Sequence, residues 1–528
     1  MTFSVLLAAE ADKIQDFVFR AARLRQVTGG SALLTRFCQQ VPQECLGLAN
    51  EQIVVNDGGA FRLLFADEAT AHAAGCELAD LYYMATGCNL SVAAPVTIKA
   101  HETFGAANER AGLLLRAAKL NHAPQAVAHL PYLAFCASTG VELAFDYGVA
   151  RGGGQKQYLS LASSYKRREA GDDGKEAFIK KFIEDVVGAE GRPEVCRVPD
   201  DPDLFGRAGG YDPRDYVAYL VADGNGIGAL FGRCQSSEHA HALSCELGRI
   251  TRQCLATATQ CLMKVDPGKQ PDLVPVLPLI LGGDDLVALL PASYALAVAQ
   301  KFCHEFEQAM ANSIATIPEL VAAPKPTMAA AVVICKAKYP FQLAIQQGQE
   351  LLKEAKRLSK QGAKQRSAVN FAVIVGNRLA DPDAARNSPK LRPTLRPYWV
   401  GADATREAIP LQWLLEARFQ LRALPQKRQA ELLAHFERTD FREMVWHNDL
   451  QAIVERIISL APNKSRELET ALEQLGCGEK SANDEAHYRR IYRATTSFQG
   501  SALPEVLTAW DFLYDLARPR SEYEVEHA

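Results

Sequence analysis

The chain has 528 residues, 48% of them apolar and 23% charged, with a formal net charge of -4. That composition belongs to a folded globular protein, and the length predicts three or four domains rather than one core. The slight negative charge excludes non-specific nucleic-acid binding driven by charge over the whole surface. Met1 to Ala9 lacks a basic stretch followed by a long apolar one, so no signal peptide is expected. The most apolar stretch, Val274 to Ala299, is interrupted by Asp284 and Asp285, which argues against a membrane span. The 13 cysteines are scattered and form no Cys-x-x-Cys pair. That is the pattern of reduced thiols, and the expected location is cytoplasmic.

Phe3 to Ala9 has the length and apolarity of a strand, and Lys13 to Cys38 carries Ile14, Phe17, Val18, Ala21 and Leu24 at helical spacing. Gln52 to Asn56 and Ala60 to Phe65 flank Asp57-Gly58-Gly59, a hairpin signal. Glu68 to Thr86 predicts a helix and Leu90 to Lys99 a strand. Arg110 to Arg214 has weaker character, and Arg151-Gly152-Gly153-Gly154-Gln155-Lys156 reads as a loop. The first order then recurs. Tyr216 to Ala222 predicts a strand, His239 to Val265 a helix, and Val274 to Leu281 with Leu286 to Leu290 flank Gly282-Gly283-Asp284-Asp285. Ser293 to Met310 predicts a helix, Thr327 to Cys335 a strand, Phe341 to Ser359 a helix and Ser367 to Val375 a strand. Two βαββαβ units, each with a Gly-Gly hairpin in the same place, predict an α+β protein built by duplication of a ferredoxin-like domain. After Gly401 the pattern turns wholly helical, with Leu411, Leu414, Leu415, Phe419, Leu424, Leu432, Leu433 and Phe436 at helical spacing. The expected domains are residues 1–109, 110–214, 215–400 and 401–528.

The second hairpin carries the chemistry. Two apolar strands meet at a turn whose glycines permit positive φ and close approach of a ligand, which leaves Asp284 and Asp285 at a rigid tip. Adjacent carboxylates there are costly unless a cation compensates them, and Mg²⁺ takes carboxylate and phosphate oxygens together. Asp223 ends the strand Tyr216 to Ala222 and opens the glycine-rich turn Gly224-Asn225-Gly226-Ile227-Gly228. Backbone N–H groups in such a turn can cradle a phosphate. A hairpin turn and no more is the competing reading of Gly-Gly-Asp-Asp, since both residue types favour turns. Asp223 at the matching strand end favours a two-metal phosphoryl-transfer site.

The Gly282-Gly283-Asp284-Asp285 hairpin, the Ala222-Asp223-Gly224-Asn225 strand end and the duplication resemble the large Palm-domain subunit of type III CRISPR effector complexes. Asp12-Lys13-Ile14-Gln15-Asp16-Phe17-Val18-Phe19, followed by Gly29-Gly30-Ser31, resembles that family's first Palm. The resemblance implies a cyclase that converts ATP to cyclic oligoadenylate when the complex meets target RNA. It makes Asp223, Asp284 and Asp285 the expected catalytic residues and ligands of two Mg²⁺ or Mn²⁺ ions. Gly224, Asn225, Gly226, Gly282, Gly283 and Lys356 are the expected nucleotide-binding residues. Lys356 has an equal competing reading as part of a solvated helix face with Lys353, Arg357 and Lys360. The implied partners are the other effector subunits and, through them, guide and target RNA, with no membrane.

Three departures from the family stand out. The first hairpin reads Gly58-Gly59-Ala60-Phe61 with no carboxylates after the glycines, which makes that Palm a scaffold; Glu10 and Asp12 near its first strand read as surface or capping residues. Between the Palms, where relatives carry a zinc ribbon, stand Cys136-Ala137-Ser138-Thr139 and Ser160-Leu161-Ala162-Ser163. One cysteine with hydroxyl residues is a poor ligand set, so this ribbon is degenerate and no zinc is expected. The sequence has no His-Asp dipeptide and opens on the Palm, so no HD nuclease is expected. A diguanylate cyclase is disfavoured because Phe231 stands where such enzymes use an Asn to read guanine. A non-catalytic assembly subunit and a standalone cyclic-nucleotide synthase remain as alternatives. His447-Asn448-Asp449 reads as a helix surface rather than a ligand set, and Lys166-Arg167-Arg168 as a solvated basic loop.

Overall fold

The computed structural model describes residues 3–120, 132–149, 156–374, 395–436 and 502–523, except 22, 171–173, 189–190, 209, 271, 316–319, 321–322, 362–364 and 404–407, together with 391–392, 453, 456, 459, 493–494 and 499–500. The loop Gly152 to Gln155 and the His447-Asn448-Asp449 stretch lie outside the described residues.

The first copy begins with β1 (Val5–Ala11), followed by α1 (Ile14–Phe19) and α2 (Leu24–Glu44). The single helix expected over Lys13 to Cys38 is therefore two. Arg20 N–H closes α1 on the Asp16 carbonyl, and Arg23 is extended at φ -132°, which starts α2 in a new direction and leaves Phe17, Val18 and Phe19 all buried. The hairpin β2 (Ile53–Asp57) and β3 (Ala60–Phe65), α3 (Glu68–Thr86), β4 (Leu90–Val92) and β5 (Val96–Thr97) complete the unit. Its sheet runs β2-β3-β1-β4, with β5 also on β1 and all pairs antiparallel. α3 shows why its ends fall where they do. Asp67 accepts from Thr70 N–H at 2.8 Å, and Gly87 takes φ 68° to end the helix.

α4 (Phe104–Leu120), a small hairpin of β6 (Asp146–Val149) and β7 (Lys156–Leu159), α5 (Leu161–Glu169) and α6 (Gly174–Val187) link the copies. Lys166, Arg167 and Arg168 thus lie on a helix and not in a solvated loop. Lys166 points inward, donates to the Phe17 carbonyl, and is pushed down to about 8 by burial.

The second copy comprises β8 (Tyr216–Asn225), α7 (Ile227–Phe231), α8 (Ser237–Val265), β9 (Leu277–Gly282), β10 (Asp285–Pro291), α9 (Ala295–Ala315), β11 (Thr327–Lys336), α10 (Phe341–Ser359) and β12 (Ala368–Val373). β13 (Leu391–Arg392) and β14 (Tyr398–Trp399) follow, and the main sheet runs β14-β12-β11-β8-β10-β9. Met328 to Cys335 is buried at every position, so both faces of β11 are covered, which explains its unbroken apolar run. β8 is three residues longer than expected. Its ladder with β11 continues to Thr327 opposite Asn225, and the chain turns only at Gly226, φ 85°.

After residue 401 come α11 (Leu411–Gln420), α12 (Gln426–Phe436), β15 (Arg493–Ala494), β16 (Gln499–Gly500) and α13 (Leu503–Thr508). The expectation of a wholly helical region is corrected by these strands: β16 pairs with β13 in parallel and with β15 antiparallel. Among the described residues, no helix is long and apolar enough to cross a membrane.

The two copies pack reciprocally: α8 of the second lies on β2 of the first, and α2 of the first lies on β9 of the second. That packing brings the two Gly-Gly turns together. A Cβ on Gly282 would stand 2.9 Å from Gly58 Cα, so the turns meet backbone to backbone.

Candidate active site

The site lies at one edge of the second sheet. β8 and β10 pair with Leu286 opposite Ala222, which sets Asp285 level with Asp223 on the next step. Directly opposed residues of antiparallel strands project from the same face. Beyond desolvation, the Asp223 carboxylate is close enough to Asp285 to push its carboxyl upward. Asp284, in the turn, leans over Gly224: a Cβ there would stand 2.8 Å from both Asp284 Cβ and Asp284 Oδ2. The missing side chain of Gly224 therefore makes the space that Asp284 fills, and, against desolvation, the nearby Gly224 amide pulls the Asp284 carboxyl downward. From α10, Lys356 Nζ stands 2.6 Å from Asp223 Oδ1.

This cluster has more negative than positive charge. Desolvation first, and then the negative charge of Asp223, push Asp284 up to about 6, against the pull of Lys356. Asp285 still reaches solvent at its tip, yet it is pushed well upward by desolvation and by Asp223 and Asp284. Three clustered carboxylates with one ammonium suit a divalent cation, and oxygen donors suit Mg²⁺ or Mn²⁺. As they stand, the side chains are not arranged as a ligand set: among the described residues, no group of three or more His, Cys, Asp or Glu is in metal-holding geometry. Asp223 is turned to Lys356 instead.

The other residues expected here divide. Gly226 provides the positive φ that ends β8, while the Asn225 side chain is buried and donates to Thr327 Oγ1 at 3.2 Å. Gly283 has φ 58° with open space where a Cβ would point. Gly282 faces Gly58, so its lack of a side chain serves the contact between the two turns. In the first copy, Glu10 pairs with Lys119 at 2.7 Å and Asp12 accepts from Ser91 Oγ at 2.8 Å. Sequence reasoning missed Asp57 and Thr251, which hold the two backbone polar groups of Gly283: Gly283 N–H donates to Asp57 Oδ2 at 2.9 Å, and Thr251 Oγ1 donates to Gly283 O at 2.8 Å. The duplicated position of the hairpins was the signal for Asp57; nothing in the helical pattern marks Thr251.

A cavity of about 800 Å³ lies between the copies, lined in part by Arg36, Asp57, His241, Gly248, Arg249 and Arg252. It reaches the hairpin only through Leu281 and does not include the three carboxylates. Its arginines already hold acidic partners: Arg36 with Glu169 at 2.8 Å, Arg249 with Glu246 at 2.5 Å, and Arg252 with Asp185.

Where a degenerate ribbon was expected, Cys136 Sγ donates to Ser163 Oγ at 3.2 Å, Ser160 Oγ donates to Glu142, and Ser138 Oγ donates to Gln26 Oε1 at 2.6 Å. The buried Thr139 hydroxyl beside them has no hydrogen-bond partner among the described residues.

Residues 216–366 match the family model described as Cas10/Cmr2, second palm domain, and over that segment the chain is similar to that domain. No curated protein matches the sequence. Among solved structures, a Csm1–Csm4 cassette in complex with AMPPNP is similar with a TM-score of 0.51 and 14% identity, over 97% of this chain and 70% of that one. The cassette in complex with pppApA gives 0.51 and 14%, over 97% and 69%. The cassette in complex with cA4 gives 0.44 and 14%, over 72% of this chain and 55% of that one, so the chain spans little more than half the length of that relative.

Proposed function

We propose that this protein is a nucleotidyltransferase that joins ATP into cyclic oligoadenylate at Asp223, Asp284 and Asp285, as a subunit of a type III CRISPR effector complex activated by target RNA. The observation that carries this reading is the convergence of three carboxylates and Lys356 on one sheet edge, within a segment that matches the Cas10/Cmr2 second palm domain. In the reaction a ribose 3′-hydroxyl attacks the α-phosphorus of a second ATP, a P–O bond forms, and the bond to pyrophosphate breaks. Two Mg²⁺ or Mn²⁺ ions held by Asp223, Asp284 and Asp285 would offset phosphate charge and favour the attacking alkoxide. The chain's own part is positional. Gly224 gives Asp284 its place, and Lys356, once released from Asp223, reaches a phosphate as a point charge. The backbone of Gly224, Gly226 and Gly283 borders the space a triphosphate would take.

Csm1–Csm4 assemblies are the solved neighbours, so the proposed partners are subunits of that kind, with guide and target RNA held through them. Incubation with ATP and Mn²⁺, with and without those subunits and target RNA, followed by assay for pyrophosphate and oligoadenylate, tests the reading. Asp223→Asn with Asp284→Asn should abolish product. Product at the native rate from that double variant would overturn the assignment, and full activity without RNA would point to a standalone synthase. The Lys356–Asp223 pair favours a second reading, in which the ammonium neutralises the cluster permanently and the subunit serves assembly. Absence of product from the assembled complex would establish it.

A further inference from the structure

The first hairpin has no carboxylates after its glycines, yet the carboxylate just before them touches the second hairpin. Asp57 Oδ2 accepts from Gly283 N–H at 2.9 Å, while Asp57 Oδ1 accepts from its neighbour Gly58 N–H at 2.8 Å. One carboxylate thus ties the tip of its own turn to the tip of the other, 226 residues away. At the next peptide, Gly283–Asp284, the buried Thr251 on α8 donates to Gly283 O at 2.8 Å, sharing its proton with Leu247 O at 3.0 Å. Gly283 is therefore held through both its N–H and its carbonyl, immediately before Asp284. We propose that Asp57, acting on the Gly282–Gly283 peptide, is a positioning residue that, with Thr251 on the Gly283–Asp284 peptide, fixes the backbone conformation of Gly283 and hence the placement of the Asp284 and Asp285 carboxylates.

The physical case rests on what a turn glycine does alone. Gly283 at φ 58° has open space around its missing Cβ, so no side-chain packing at that position fixes its two flanking peptide planes. A charge-assisted hydrogen bond is about twice as strong as a neutral one, and it acts here between two elements already in backbone contact at Gly58 and Gly282. In this way the copy without metal-binding carboxylates contributes to the geometry of the copy that has them. The kinetic consequence rests on the proposed phosphoryl-transfer reading; the structural consequence does not.

Amide hydrogen exchange separates the two. In the full chain, peptides covering residues 279–287 should exchange about tenfold faster in Asp57→Ala, while peptides from β11 stay protected. Asp57→Asn keeps one of the two acceptor oxygens and loses the charge, so it should restore only part of the protection. Thr251→Val, which is isosteric, removes the other tether and should release the same peptides, so the test survives if the alanine variant fails to fold. Hairpin exchange unchanged in both Asp57→Ala and Thr251→Val overturns the proposal. In turnover assays, Asp57→Ala should lower kcat with little change in KM for ATP, and Asp57→Asn should rescue it in part. If exchange responds as described but no variant or native protein consumes ATP, the tether stands and the proposed function fails.

Discussion

Lys356 Nζ lies 2.6 Å from Asp223 Oδ1, so the residue expected to meet phosphate and the residue expected to meet metal are paired with each other. A bound cation and the Lys356 ammonium would compete for Asp223. Lys356→Met should therefore bind Mn²⁺ more tightly than the native protein and ATP less tightly, with KM raised by about tenfold. Titration of Mn²⁺ by paramagnetic resonance, beside nucleotide binding, checks both directions. A parallel loss of both affinities would mean that Lys356 serves only to hold the cluster together.

The carboxylates make stability depend on pH. Asp284 is raised from 3.8 to about 6, so its ionised form costs stability; the cost is absent below 3.8 and full above about 6. Asp284→Asn should leave stability at pH 3.5 unchanged and raise it at pH 8 in metal-free buffer, by at most about 3 kcal/mol. Asp285 shifts in the same direction and widens the window upward. Urea unfolding at the two pH values reads the difference. Excess Mn²⁺ at pH 8 should stabilise the native protein, by about 2.7 kcal/mol at a hundred times Kd, and stabilise Asp284→Asn less.

Three glycines of the site should respond differently to alanine. Gly224→Ala places a methyl 2.8 Å from Asp284 Cβ and should cost metal binding while the fold holds. Gly282→Ala drives Cβ to 2.9 Å from Gly58 Cα, where only backbone can yield, and should destabilise by about 3 kcal/mol. Gly283→Ala meets no atom but keeps φ 58°, for about 1 kcal/mol. Thermal unfolding of the three variants should rank Gly282→Ala lowest.

Much of this could be read from the chain beforehand because the apolar runs and the paired Gly-Gly turns are local signals. Val217 to Ala222 and Met328 to Cys335 could only be covered strands, and Asp223 could only lie near their ends. What the sequence hid is what depends on docking of one copy on the other. Gly282 looked like a ligand-facing glycine, but its neighbour is Gly58. Lys166 looked like solvated charge, but its chain is threaded beneath Phe17, with Nζ 4.2 Å from the ring centroid. Strand length was missed for a related reason: pairing with Thr327 carries β8 through Asp223 and Gly224 to Asn225.

The ribbon region gives a chemical test. Burial pushes the Cys136 thiol up, but hydrogen bonds involving Ser163 and Ser160 outweigh it and bring it to about 7. The thiol is hydrogen-bonded to Ser163 Oγ, which ties these loops together. The purified protein should contain less than about one-tenth equivalent of zinc, since a site with one thiolate falls short of four good ligands. Chelator treatment should not change its melting temperature. One tightly held zinc per chain by elemental analysis would overturn this.

The backbone contact between Gly58 and Gly282 also sets a rule of length. Each turn acts as a stop for the other, because a close-packed junction transmits displacement instead of absorbing it. One residue added to the first turn would push the second out of line with Asp223, although the first bears none of the three carboxylates. The first hairpin can thus differ from the second in chemistry, but not in size.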